Sequence, residues 1–147
     1  MGEVVSMAPA AEADPVIFVL PQNDLRGWTL AEPYLRRALE YADEWGIEDV
    51  REQYCGGRVG LILCLGPDKV PFGALCIEVA DYPRKRVLQV HLFGADDHSE
   101  AAWLTHIWPQ VQALARDLGC ASVSGTGRDG WVRKLHAKRR YLWEVPV

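Results

Sequence analysis

Residues 86–119 read RVLQVHLFGADDHSEAAWLTHIWPQVQALARDLG, and this stretch decides the fold. Val87 to Phe93 predicts a strand, with Val87, Gln89, His91 and Phe93 on one face and Leu88, Val90 and Leu92 on the other. Apolar residues on both faces and few charges place that strand in the sheet interior, covered on both sides. Gly94 to Asp97 breaks it. Asp97 and Glu100 then have capping-box spacing, with Asp97 expected to accept from the backbone at Glu100. Leu104, Ile107, Trp108, Val111, Leu114, Ala115 and Leu118 recur at helical steps, which predicts a helix lying on the sheet through one apolar stripe. Gly119 supplies the left-handed stop. Pro109 lacks an N–H and crowds the carbonyl of Thr105, so a kink is expected there.

Working outward, 147 residues with 49% hydrophobic composition suit one domain with a sizeable core. A net charge of −4 argues against binding nucleic acid over the whole surface. The charge is uneven: Arg128, Arg133, Lys134, Lys138, Arg139 and Arg140 crowd the C-terminal end. That basic run lacks interleaved exposed aromatics, so it predicts a solvated face or a phosphate or acidic-partner contact rather than a nucleic-acid groove. Cys55, Cys64, Cys76 and Cys120 form no C-x-x-C pair, and three of them sit in apolar runs, which predicts reduced, buried thiols. The four histidines show no ligand spacing with them, so no metal site is expected. Without a membrane-length apolar run or a secretory leader pattern, the reading is an intracellular protein with no membrane partner.

Residues 1–14 have no periodicity and read as a flexible tail; 15–147 read as one domain. Pro15 to Pro21 predicts an edge strand fenced by prolines. Thr29 and Glu32 have capping-box spacing ahead of a helix with Tyr34, Leu35, Ala38, Leu39, Ala42 and Trp45 on one face, ended by Gly46. Ile47, Val50 and Tyr54 suggest a second helix closed by Gly56 and Gly57. Three strands follow, at Arg58–Leu65, Val70–Asp81 (with a bulge at Gly73) and Val87–Phe93. After the long helix come a strand at Cys120–Ser124, a short helix through Trp131 and Leu135, and a closing strand at Tyr141–Val145. Trp28, Trp103 and Trp143 are candidates for a protein interface, where aromatics are enriched.

This order gives an α/β (α+β) class with a mixed, mostly antiparallel sheet and helices on both faces. From Pro15 to Val147 it resembles the GNAT acetyltransferase fold. Residues 125–135, GTGRDGWVRKL, are similar to the Gly-Arg-x-Gly-Trp segment of small GNAT-like proteins of tailed bacteriophages, as are Trp28, Pro33 and Leu35 ahead of a helix. The glycines at 125, 127 and 130 also spell a dinucleotide fingerprint, but only Glu144 and one short strand remain beyond them, so they read as a tight turn.

The resemblance implies that the turn after the fourth strand holds the pyrophosphate of acetyl-CoA on backbone N–H groups and a helix N-terminus. Phe93, Gly94 and Ala95, with Arg128 from the basic run, would be the cofactor-binding residues. The turn keeps Gly94 but carries Asp96 and Asp97, two carboxylates where an anion needs donors. Acetyl transfer also needs a base for the acceptor amine and an acid for the departing thiolate. The resemblance puts these among Glu78, Gln89 and His91 on the central strands and at Tyr141 after the last helix; Glu78, His91 and Tyr141 are the catalytic candidates. Each also has a plain structural reading, His91 as a hydrogen-bonded core histidine and Tyr141 as core. Ser122 and Ser124 have no paired base in sequence. The acidic turn favours a non-catalytic, GNAT-like phage protein without a cofactor. It would act as a virion or assembly component in the host cytoplasm or the virion, with a phage structural protein or a second copy as partner. The alternative is an acetyl-CoA-dependent N-acetyltransferase acting on a small-molecule or protein amine.

Overall fold

The computed structural model describes residues 14–126, 129–138 and 144–146. The strand at the centre of the sequence reading is β4, Arg86–Ala95, longer by three residues than the alternation predicted. Before it come β1 (Val16–Val19), helices α1 (Leu25–Leu39) and α2 (Ile47–Cys55), β2 (Gly60–Leu65) and β3 (Pro71–Asp81). After it a helical run comprises α3 (Glu100–Ala102), a π-helical stretch (Trp103–Ile107) and α4 (Trp108–Asp117), followed by β5 (Ser122–Gly125) and α5 (Asp129–Lys134). The five strands lie in sequence order, antiparallel except for the parallel β4–β5 pair. The class is α+β with a mostly antiparallel sheet, as expected.

Each sheet face carries its own core. Leu20, Trp28, Leu35, Val50, Tyr54, Leu61, Leu63 and Cys76 pack between the sheet and α1 and α2. Ile62, Cys64, Leu75, Leu88, Ile107 and Val111 pack on the other face, beneath the long helical run. Alternation along β2 supplies both: Leu61 and Leu63 go one way, Ile62 and Cys64 the other. Trp28 and Trp103 are each only 4% exposed, so burial in these cores replaces the interface role expected for them. Trp143 lies outside the described residues.

Several local expectations are corrected. Helix α1 starts four residues before Thr29, because the Asp24 carboxylate accepts from the N–H groups of Arg26 and Gly27 and caps it there. Thr29 and Pro33 are therefore interior to the helix, and the Thr29 hydroxyl donates to the Leu25 carbonyl. The helix stops at Leu39, so Trp45 lies in the connection, and Gly46 opens α2 by donating its N–H to Asp49. The bulge expected at Gly73 falls at Phe72 instead: Cys64 faces Gly73 while Leu65 faces Pro71. Asp97 caps nothing; Ser99 precedes the helical run, its carbonyl accepting from Trp103 N–H and its hydroxyl donating to the Asp96 carbonyl. The kink expected at Pro109 takes the form of a π-helical turn. Trp108 N–H bonds the carbonyl of Trp103, five residues back, which widens the helix just before the proline. Of the predicted closing strand, residues 141–143 lie outside the described residues, and 144–146 have no regular structure. The tail at 1–13 is also outside them.

All four thiols are free, and Cys64 and Cys76 are buried. Burial pushes both thiols up to about 12. The unfolded chain loses these protons from roughly pH 8.5 upward, while the native fold retains them. Their contribution to stability is therefore complete below that pH and drains away as pH rises toward 12. For two thiols the slope reaches at most about 2.7 kcal/mol per pH unit. Urea midpoints measured between pH 8 and 10 should fall steadily, and Cys76→Ala should flatten the decline by about half relative to its own pH 8 value. Equal midpoints at pH 8 and 10 would contradict the burial assigned to both thiols. Among the described residues no helix is long and apolar enough to cross a membrane.

Candidate functional site

The central strand is interrupted at His91. Cys76 faces Leu92 and Ile77 faces Val90, so His91 is an extra residue, a β-bulge in β4. This breaks the predicted alternation. Leu88, Val90 and Phe93 face the long helical run, while Leu92 joins the α1–α2 core. His91 faces that same side, touching Glu78 and Trp45. Pairing with β5 ends at the same place, with Val90 opposite Gly125. Past the bulge, residues 91–95 have no strand partner on the β5 side among the described residues.

The bulge brings two of the three catalytic candidates together. His91 Nε2 and Glu78 Oε1 are 2.8 Å apart, both groups partly buried. Whether His91 Nε2 donates to or accepts from Glu78 depends on the imidazole tautomer. Trp45 stacks on the His91 ring at 5.2 Å. Arg58 lies over the Trp45 ring at 5.5 Å and reaches Glu78 Oε2 at 3.5 Å. Neither Trp45 nor Arg58 was singled out from sequence as a site residue. Arg58 was not legible from strand pairing: it precedes β2, and continuing the register from Gly60 opposite Ile77 would put Val59, not Arg58, opposite Glu78. Trp45 carried no local signal for the site, because it sits in a connection. A cavity of about 390 Å³ opens beside the group, lined among others by Gln22, Tyr54, Arg58 and Glu78. Gln89, the third polar candidate, donates to the Tyr82 hydroxyl instead. Tyr141 lies outside the described residues.

The candidate cofactor turn lies at the C-terminal end of β4, three residues past the bulge. Gly94 is buried beneath α1, and a Cβ there would stand 2.0 Å from the Tyr34 carbonyl oxygen. The Ala95 carbonyl accepts from Arg37 Nη1 at 2.6 Å, and Asp96 N–H donates to the Phe72 carbonyl. Asp96 and Asp97 are exposed. His98 adopts a left-handed φ of 65°, uncommon for a residue with a side chain. Phe93 points to an aromatic cluster with Trp103 at 4.8 Å and Trp131 at 6.3 Å. Lys134 of α5 pairs with Glu100 at 2.5 Å, tying α5 to the start of the helical run. Arg128 lies outside the described residues. Among the described residues no group of three or more metal-ligating side chains could hold a metal ion.

No protein-family model matches the sequence, and no curated protein matches it. Solved structures do match in shape. An aminoglycoside acetyltransferase from an uncultured soil metagenomic sample is 12% identical, with a TM-score of 0.65 over 90% of this chain and 95% of that one. A probable acetyltransferase is 11% identical, with a TM-score of 0.68 over 89% and 97%. A GNAT family acetyltransferase of Staphylococcus aureus is 8% identical, with a TM-score of 0.63 over 92% and 100%. Together with the strand order and the parallel β4–β5 pair, these likenesses show that the chain has the fold of the GNAT acetyltransferases.

Proposed function

We propose that the protein is a GNAT-fold binding component whose cofactor turn no longer accepts acetyl-CoA, working in the assembly or the virion of a tailed bacteriophage. The observation that carries this reading is the turn after β4. Asp96 and Asp97 are exposed there and Glu100 follows on the first helical turn, while the Asp96 N–H and the Ala95 carbonyl are already engaged. A carboxylate about 4 Å from a phosphate costs on the order of 1 kcal/mol in bulk water and about 4 kcal/mol near a protein surface. Two of them outweigh the roughly 0.3–1 kcal/mol that a helix N-terminus offers an anion. The phage setting rests on the sequence likeness of residues 125–135. The partner is a phage structural protein or a second copy of the chain. The site of action is the host cytoplasm or the virion.

A second reading, acetyl-CoA-dependent transfer to an amine, is favoured by one observation, the Glu78–His91 contact at the bulge. In it Glu78 accepts the proton of the acceptor amine through His91, Phe93, Gly94 and Ala95 with Arg128 hold the cofactor, and Tyr141 returns a proton to the thiolate.

Thermal unfolding with acetyl-CoA separates the two. A ligand at about a hundred times its dissociation constant adds roughly 2.7 kcal/mol to the native state, a rise of several degrees for a domain of this size. The expected result is no shift at millimolar acetyl-CoA. Asp96→Gly combined with Asp97→Asn removes both charges and tests whether repulsion alone is the obstacle. A clear rise with the unaltered protein overturns the first reading and promotes the second, which loss of acetyl transfer with retained cofactor binding in Glu78 or His91 variants would then test.

A further inference from the structure

We infer that Trp45 and Glu78 form a binding site for a guanidinium group, and that Arg58 is its built-in occupant. This inference is independent of whether acetyl-CoA binds. Glu78 is a divided carboxylate: Oε1 is taken by His91 at 2.8 Å, whereas among the described residues Oε2 meets only Arg58 Nε at 3.5 Å, the outer edge of a hydrogen bond. The His91 contact orients the carboxylate and leaves Oε2 as its available acceptor. Trp45 is held by its stack on His91, so an aromatic face and an acceptor are fixed relative to each other. The Arg58 guanidinium carbon stands 5.5 Å from the Trp45 ring centroid, within range of a cation–π contact.

A carboxylate beside an indole face is the environment that suits a guanidinium, which is planar, permanently charged and able to stack while donating sideways. An ammonium group suits it less, being a strongly hydrated point charge. Arg58 meets both elements loosely. Its side chain is 54% exposed, its ion pair is long, and such exposed pairs contribute little. The neighbouring cavity of about 390 Å³ is lined by Arg58 and Glu78 but not by Trp45, so it leaves room beside the carboxylate, and the indole face is freed as Arg58 swings into solvent. The ligand is thus a guanidine, either a small molecule or an arginine side chain of a partner.

Competition by an internal occupant makes a prediction that a structural salt bridge does not. Titration of the isotope-labelled protein with arginine amide, followed by amide and indole N–H shifts in NMR, reads affinity and location together. Arg58→Ala should bind arginine amide about threefold to fivefold more tightly than the wild type, equivalent to about 0.6–1 kcal/mol. The shifts should centre on the Trp45 indole and the amides of Glu78 and His91. Lysine amide should bind several-fold more weakly than arginine amide. Adding Glu78→Gln or Trp45→Leu to Arg58→Ala should abolish the gain, and Arg58→Gln provides a second opened site. A Gly-Arg-Gly amide that binds more tightly than arginine amide identifies a peptide as the source of the group, whereas equal affinities identify a free guanidine. Equal affinity of wild type and both Arg58 variants, a gain that survives Glu78→Gln, or shifts centred elsewhere would overturn the proposal.

Discussion

Gly94→Ala should destabilise the protein by on the order of 3–5 kcal/mol, enough to leave much of it unfolded at 37 °C. The cause is contact with main chain rather than a side chain. The added Cβ would lie 2.0 Å from the Tyr34 carbonyl oxygen and 2.8 Å from its carbonyl carbon. Those atoms belong to the backbone of α1, which is pinned to the sheet by buried Trp28, Ala31 and Leu35 and cannot yield without losing that packing. Gly60→Ala is the matched control, since its nearest neighbour would be a flexible Ile77 side-chain atom at 3.5 Å. It should change stability by no more than about 1 kcal/mol. Chemical unfolding of both variants checks the pair. A Gly94→Ala variant as stable as the wild type would mean that α1 crosses β4 at a greater distance than the structure has it.

Val111→Asp should be comparably damaging, costing about 3–5 kcal/mol, through charge rather than size. Val111 is fully buried on α4, in the core layer that also contains Ile62, Leu75, Leu88 and Ile107. Among the described residues that layer holds no buried charged side chain to neutralise a carboxylate, and its buried polar atom without a partner, Trp103 Nε1, is only a neutral donor. The aspartate must either ionise without a partner or take up a proton, so the variant should recover part of its stability on acidification. Urea midpoints at pH 7 and pH 4.5, each compared with the wild type at the same pH, measure this. A Val111→Asp protein as stable as the wild type at pH 7 would place this helical face in solvent.

Much of the architecture was legible because it rests on periodicity. The apolar stripe through Ile107, Val111 and Ala115 reached the core it predicted, since a helix of that pattern has only one face to bury. The short second helix closed at its glycines, with Gly57 at a φ of 82° that side chains rarely adopt. The ends of elements were less legible, because several short polar residues competed to cap the same helix. Asp24 won over Thr29, and Ser99 took the place expected of Asp97.

For the candidate site the division is sharper. Glu78, His91 and the acidic turn at Asp96 and Asp97 could be named from sequence as polar groups on or beside apolar strands. Their arrangement could not, because a single inserted residue in β4 reverses which side every later residue faces. Nothing in the local pattern at His91 announces that insertion; it is decided by β3, which pairs on either side of it. Composition and hydrophobic period thus determined by themselves that this chain makes a mixed sheet covered by helices. The meeting of Glu78, His91, Trp45 and Arg58 was settled only by tertiary pairing, because the register of a strand is a property of two segments and is written in neither alone.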